Sequence, residues 1–311
     1  MPRFFNRLAF LLKREATYGV DAIPTGAANA FLGVDVTITP IESERDERNL
    51  MRPYLGAQGV KLSGHRVKIE FSVELAGAGA AGTVPAFGAA LRACGMSETV
   101  TAATKVDYLP VSTGYESACF YWNMDGVNHI GLGGRGNVQV QPFAATKIPR
   151  LKFTIWALLG TVTDTAMPTV DLTKFIEPLV VSKDNTPTFS LHGTPCIVEN
   201  MTLDLGQDVQ PRFLIGEDSI QIVNRSAKGS VTAVAVPVAT KNWVQTKKDH
   251  TLGALQVVHG VTAGNIVELG APAVQIDDVT VGQTQNIINN TLSLILQPTA
   301  AGNDELKLTF R

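Results

Sequence analysis

The side chains best equipped for chemistry are five histidines (His65, His129, His192, His250, His259) and three cysteines (Cys94, Cys119, Cys196). A structural zinc site places its ligands at short, fixed spacings, and no two of these histidines stand three or four residues apart. No serine lies in a nucleophile-elbow setting, and no Asp/Glu cluster has the spacing of a calcium loop. Asp277-Asp278 is an isolated pair, expected in a solvated turn at a strand end. Gly131, Gly133, Gly134 and Gly136 form a glycine-rich run. A phosphate-binding loop must lead into a helix, whose N-terminus holds the anion. Here Val138-Gln139-Val140 follows, a strand pattern, so a turn or bulge is expected. These residues give no catalytic centre, metal site or cofactor site, and the chain is read as a non-enzyme.

The remaining concentration of polar chemistry is the charged run from Glu42 to Arg52. It holds Glu42, Glu44, Arg45, Asp46, Glu47, Arg48 and Arg52, with Leu50, Met51 and Tyr54 as apolar neighbours. It is expected to be a long loop (42–58) joining two strands. Loops of that length in compact domains are often functional, and a polar rim around apolar anchors suits contact with another protein. A solvated loop is the plain alternative. A second polar stretch, about Gly206 to Asn224, is the expected counterpart, with Asp208, Arg212, Phe213, Leu214 and Ile215.

Strands must position these segments. Val34 to Ile38, Val67 to Val73 and Leu306 to Phe310 alternate with period two, the pattern of half-buried strands. Asp125-Gly126 lies between two strand-like runs, a hairpin signal because both central positions take positive φ. Only short helices are offered. Pro85 to Ala93 has proline at its start and Gly95 beyond its end. Thr240 to Lys248 has Thr240 or Asn242 as its cap.

The chain has 311 residues, which suggests two domains at the usual length of about 150. Charged residues make up 17%, against about 25% in ordinary soluble domains, and mean hydropathy is +0.12. Such a surface is expected to be partly covered. A net charge of −2 advertises no tight grip on nucleic acid. No stretch approaches the roughly 20 apolar residues of a membrane span. Leu8 to Leu12 is too short for a secretory leader and is read as mature structure. Three widely separated cysteines suit free thiols in a reducing cytoplasm.

An internal repeat gives the two-domain expectation more content. At a constant offset of 165, Val36-Thr37-Ile38 matches Met201-Thr202-Leu203, and Gly64 matches Gly229. Ile69, Phe71 and Val73 match Val234, Val236 and Val238 at the same offset. Near an offset of 156, Gln141-Pro142 matches Gln297-Pro298, and Leu151 to Ile155 matches Leu306 to Phe310. The helices 85–93 and 240–248 correspond. The expected organisation is a first domain at 1–160, an extended Pro/Thr-rich linker at 161–190 and a second domain at 191–311.

Glu15-Ala16-Thr17-Tyr18-Gly19-Val20-Asp21, with Pro24 to Ala30, resembles the opening of phage tail tube proteins. So does the helix Val84 to Gly95. The hairpin Asp125 to His129 followed by Gly134-Arg135-Gly136 is similar to one in that family. Its second half is resembled by Thr240 to Trp243, Leu252 to Gln256, His259-Gly260 and Gly264-Asn265, and its ending by Gly302 to Leu306. The resemblance runs nearly end to end and is to the major tail tube protein of long, non-contractile-tailed bacteriophages.

What the resemblance implies is a mainly β protein with two tandem β-sandwich domains. Each has a short flanking helix and contributes strands to a barrel closed only by the ring. Rings stack into a tube through which the genome leaves the capsid. Family rings commonly hold six such domains, so a two-domain chain implies trimers with pseudo-sixfold symmetry. The implied partners are further copies of the chain, the tape measure protein and the tail terminator protein. DNA would pass without sequence-specific binding, through a neutral or acidic lumen, and no membrane is involved. The implied location is the virion tail, assembled in the host bacterial cytoplasm. A tube protein of a contractile injection or type VI secretion system is an alternative, although those usually carry one domain per chain. An extracellular β-sandwich binding module is another.

Overall fold

Period-two alternation puts every second side chain on one side of a strand, and this chain uses it almost throughout. The computed structural model describes residues 2–311 and is mainly β. In chain order its elements are β1 (Leu8–Arg14), the single turn α1 (Gly26–Asn29), β2 (Ala30–Phe31), β3 (Val34–Glu47) and β4 (Val60–Glu74). Then come α2 (Gly88–Ala93), β5 (Met96–Thr101), β6 (Lys105–Pro110), β7 (Ala118–Met124), β8 (Val127–Ala144) and β9 (Arg150–Asp164). An irregular stretch leads to β10 (Thr188–Leu191), β11 (Thr194–Pro195), β12 (Val198–Asp204), β13 (Gln207–Leu214), β14 (Glu217–Arg225) and β15 (Lys228–Val234). The last elements are α3 (Trp243–Lys248), β16 (Leu252–His259), β17 (Val267–Thr284), β18 (Ile287–Gln297) and β19 (Lys307–Phe310).

The antiparallel pairings form two series. The first runs β3-β4-β9-β8-β7-β1-β2. The second runs β12-β15-β18-β17-β16-β10-β11. They join at one place, where the distal half of β8 pairs with β12: Val140 lies opposite Leu203 and Phe143 opposite Met201. β8 is long enough to pair with β7 over its first half and with β12 over its second. A smaller seam links β17 and β6 through β19. Among the described residues no barrel closes.

One buried cluster runs through both series. In β4 the residues Val67, Ile69, Phe71 and Val73 point inward, and Phe71 stacks on Phe153 of β9 at 5.2 Å between ring centroids. Inward residues of the second series, such as Met201, Val231, Leu292 and Leu294, are equally buried but aliphatic. α2 begins later than its proline, which only supplies the turn Gly88 N–H to Pro85 carbonyl, and Gly95 ends it at φ +72. Asn242 caps α3 by accepting the Gln245 backbone N–H at 2.9 Å.

The Pro/Thr-rich stretch contains no helix, and its first residues continue β9 to Asp164. It is held down on both series. Asp171 N–H donates to the Gly26 carbonyl, Val181 donates to the Lys147 carbonyl and accepts from Thr146 N–H in the β8–β9 turn, and Gly260 N–H donates to the Asn185 carbonyl. His259 closes the arrangement through the Leu179 carbonyl and the Thr186 hydroxyl.

Two sequence expectations need correction. Val234 to Val238 does not continue the β4-like pattern: Val238 is exposed beyond β15, and Val231 and Ala233 are the buried pair facing β12 and β18. Lys307 to Phe310 sits between β6 and β17, whereas Leu151 to Ile155 sits between β4 and β8. Sequence similarity there reflects shared alternation rather than shared position.

Candidate functional site

The potential chemical residues are dispersed. Among the described residues no cluster of three His, Cys, Asp or Glu side chains could hold a metal ion. His129 packs on Trp122 and His192 on Trp243, each imidazole held below its ordinary pKa chiefly by burial. Cys196, four residues from His192, donates to the Thr194 carbonyl instead. Burial pushes the Cys94 thiol far up and that of Cys119 to about 12, so neither is a ready nucleophile. The glycine run lies inside β8 at two register shifts, as a bulge. At Gly131 a Cβ would stand 2.3 Å from the Phe120 ring, so only glycine fits. Asp277-Asp278 is not at a strand end but at a bulge within β17, where Asp278 meets Lys247 at 2.6 Å.

Surface architecture is where the molecule concentrates its distinctive features, beginning with one polar sheet face. The outward residues of β3, β4, β9, β8, β12 and β15 include Asp35, Lys68, Glu70, Gln139, Arg150, Lys152, Asp204 and Ser230. Their cations are neutralised locally. Lys68 meets Glu70 at 2.6 Å, Lys152 meets Glu70 at 3.9 Å, and Arg150 meets Asp35 at 3.2 Å. The Lys68 hydrogen bond holds the Glu70 carboxyl below its usual range. Asn137 and Gln139 donate to Asp204.

The second feature is a pair of free strand edges. Among the described residues β3 pairs with β4 alone, which leaves its other side open. β17 pairs with β16 only as far as Gln275, and from Ile276 to Thr284 it has β18 alone. Val281, on that open half, is 70% exposed. β-Branched strand edges of this kind invite pairing with another chain.

The third feature is a projecting arm, and it corrects the expectation of a charged loop. Glu42, Glu44, Arg45, Asp46 and Glu47 are part of β3, paired with β4 out to Glu47 opposite Val60. Only residues 48–59, carrying Arg48, Leu50, Met51, Arg52 and Tyr54, form the tip. Both faces of this ladder are wet, so the sequence lacks the alternation that marks a half-buried strand. Arg66 grips Glu42 and Glu44 at 3.1 and 2.6 Å. Leu50, Met51, Tyr54 and Leu55 are exposed at the tip.

The expected counterpart is also a hairpin, β13–β14, turning at Ile215-Gly216. Unlike the arm, it is folded back on the first series. Val209, Ile220 and Ile222 pack on Tyr115, Trp156 and Leu158. Arg135 secures it, donating at 2.9 Å to the Ile220 carbonyl and to Gln221 Oε1, while its guanidinium lies 4.7 Å over the Tyr18 ring. Tyr18 Oη accepts the Ile220 N–H at 2.6 Å. Phe213 lies against Gly64 of β4, so the two hairpins touch at that point. Asp208 accepts from Gln210, Arg212 lies opposite Ser219 on β14, and Leu214 and Ile215 stay exposed. Arg135, Tyr18 and Trp156 were not recognisable as a socket from sequence, because they are distant in the chain: the β8–β9 register sets Arg135 opposite Trp156, and the segment after β1 adds Tyr18.

A family model described as phage tail tube protein matches residues 6–298 of the chain. No curated protein matches the sequence.

Proposed function

The chain belongs to the phage tail tube protein family, and from that premise we propose that it assembles as stacked trimeric rings forming the tube that conducts viral DNA into the host. The observation that carries this reading is the pairing of β8 with β12. Two strand series of the same order and connectivity are joined there edge to edge, which supports a duplicated tail-tube unit, and the same pair of edges remains open at the ends.

The strand count supports three chains. Each offers the run β3-β4-β9-β8-β12-β15-β18-β17 as a continuous sheet. With strands about 4.8 Å apart and tilted about 40°, three such runs close a backbone ring roughly 48 Å across. That accommodates duplex DNA with side chains lining the wall, whereas six chains would double the diameter. The polar face would then line the lumen. Lys68, Lys152 and Arg150 are held by carboxylates, which among the described residues leaves Lys228 of β15 as an exposed cation without a salt bridge, so the face offers few free charges to phosphates and a passing genome slides.

The arm, with its tip 48–59, is proposed to contact a neighbouring chain or the next ring. Its partner there is the same protein; tape measure and terminator proteins would engage the ends of the tube. The test is negative-stain microscopy of purified protein after prolonged concentration. Hollow tubes or rings support the proposal. A monomer that persists on size exclusion at every concentration overturns it.

A further inference from the structure

The β8–β12 junction also specifies, residue by residue, how one chain meets the next. Pairing across each series creates rungs that can be compared. In the first, Ile38, Ile69, Ile155 and Gly136 lie side by side. In the second, the matching rung is Leu203, Gly229, Leu294 and Ile276. The next rung is Phe71, Phe153 and Val138 against Val231, Leu292 and Val279. The third is Val73, Leu151 and Val140 against Ala233, Asn290 and Val281. Val281 therefore occupies in the second series the place of Val140 in the first, and Ile38 occupies the place of Leu203.

Within the chain, Val140 is opposite Leu203 and Gln139 is opposite Asp204. Val140 and Leu203 are almost fully buried, while Val281 is open to solvent and Ile38 only half-buried. We propose that β3 of one chain pairs antiparallel with the distal half of β17 of the next, in the β8–β12 register, with Ile38 opposite Val281 and Thr39 opposite Thr280. The occupant of each open edge is thus a second copy of this chain.

Three features favour that occupant. The two edges already meet in this fold as β12 and β8, so their shapes are matched by construction. Residues Val34 to Thr39 and Val279 to Gly282 hold no lysine and no proline, two of the devices that block strand addition. Finally, the edges are different surfaces on one molecule, so the contact is head-to-tail and can close into a ring. This inference rests on the tube reading above.

A cysteine pair tests it. Opposed residues on antiparallel strands have Cα atoms about 4.5–5.5 Å apart, within disulfide range. The variant T39C/T280C, oxidised as assembled rings or tubes, is expected to run as a covalent trimer without reductant and as a monomer with it. T39C and T280C alone, and the out-of-register pair T39C/D277C, are expected to stay monomeric. Rings that form without a T39C/T280C link, or that link through T39C/D277C instead, overturn the junction and leave the tube reading standing. Covalent rings larger than three keep the junction and overturn the trimer. Absence of any ring or tube overturns both.

Discussion

Val140 on β8 lies opposite Leu203 on β12, and this pairing makes one continuous sheet of two strand series. Among the described residues it is the only place where the two series pair directly; β19 ties β17 to the separate hairpin β5–β6. Two more edges of the same two kinds, β3 and the distal half of β17, remain open.

The docked hairpin depends on one buried guanidinium. Replacing Arg135 by alanine leaves the Ile220 and Tyr115 carbonyls without their donor and removes the ring contact with Tyr18. Unpaired buried acceptors cost about 1–3 kcal/mol each, so R135A is expected to lower stability by about 2–4 kcal/mol in denaturant unfolding. Amide exchange should quicken across β13–β14 more than across β17–β18. R135K should recover little, because an ammonium cannot reproduce the forked geometry. Unchanged protection in β13–β14 would contradict this role.

The arm tip is expected to be dispensable for folding and needed for assembly. Glu47 lies opposite Val60, so residues 48–59 can be replaced by Asn-Gly to make a tight hairpin. The shortened chain should stay soluble, with its melting temperature close to the parent's, and should form no tubes by negative stain. Normal tubes would show that the arm is only a solvated ladder.

Carboxylates on the polar face are expected to keep DNA moving. Glu70 neutralises both Lys68 and Lys152. In assembled tubes, E70Q should retain duplex DNA at low salt and release it steeply as salt rises, as phosphate contacts do. The parent tube should retain little at any salt. Equal retention by both would remove the polar face from the lumen.

Buried imidazoles set an acid limit on stability. Burial holds His192 and His259 below the ordinary value of 6.5. Below that pH the unfolded chain takes up protons that the folded chain does not. Stability is therefore full above about pH 6.5 and declines as the pH falls toward the depressed folded values. The melting temperature should drop as the pH falls below about 6.5. H259N should be less stable throughout but show a shallower slope. An unchanged slope would clear His259 of the effect.

Several of these features could be read in the sequence. Alternation at Val34 to Ile38 and Val67 to Val73 gave strands, Asp125-Gly126 gave the β7–β8 turn, and Asn242 gave a cap, because each is local chemistry. The match of Val36-Thr37-Ile38 with Met201-Thr202-Leu203 coincides with equivalent rungs. The later matches slipped because the first hairpin carries the tip 48–59 where the second turns at Ile215-Gly216, and alternating strands align in more than one register. Glu42 to Glu47 read as a loop because a strand wet on both faces carries no period. The Arg135 socket and the open half of β17 were illegible, since both arise from pairings between distant segments.

The most direct test is end-on imaging of assembled rings with enough detail to count chains. Three chains per ring, with β3 of each beside β17 of its neighbour, is the expected result. Six full chains per ring, or three that meet through any other pair of strands, would contradict it.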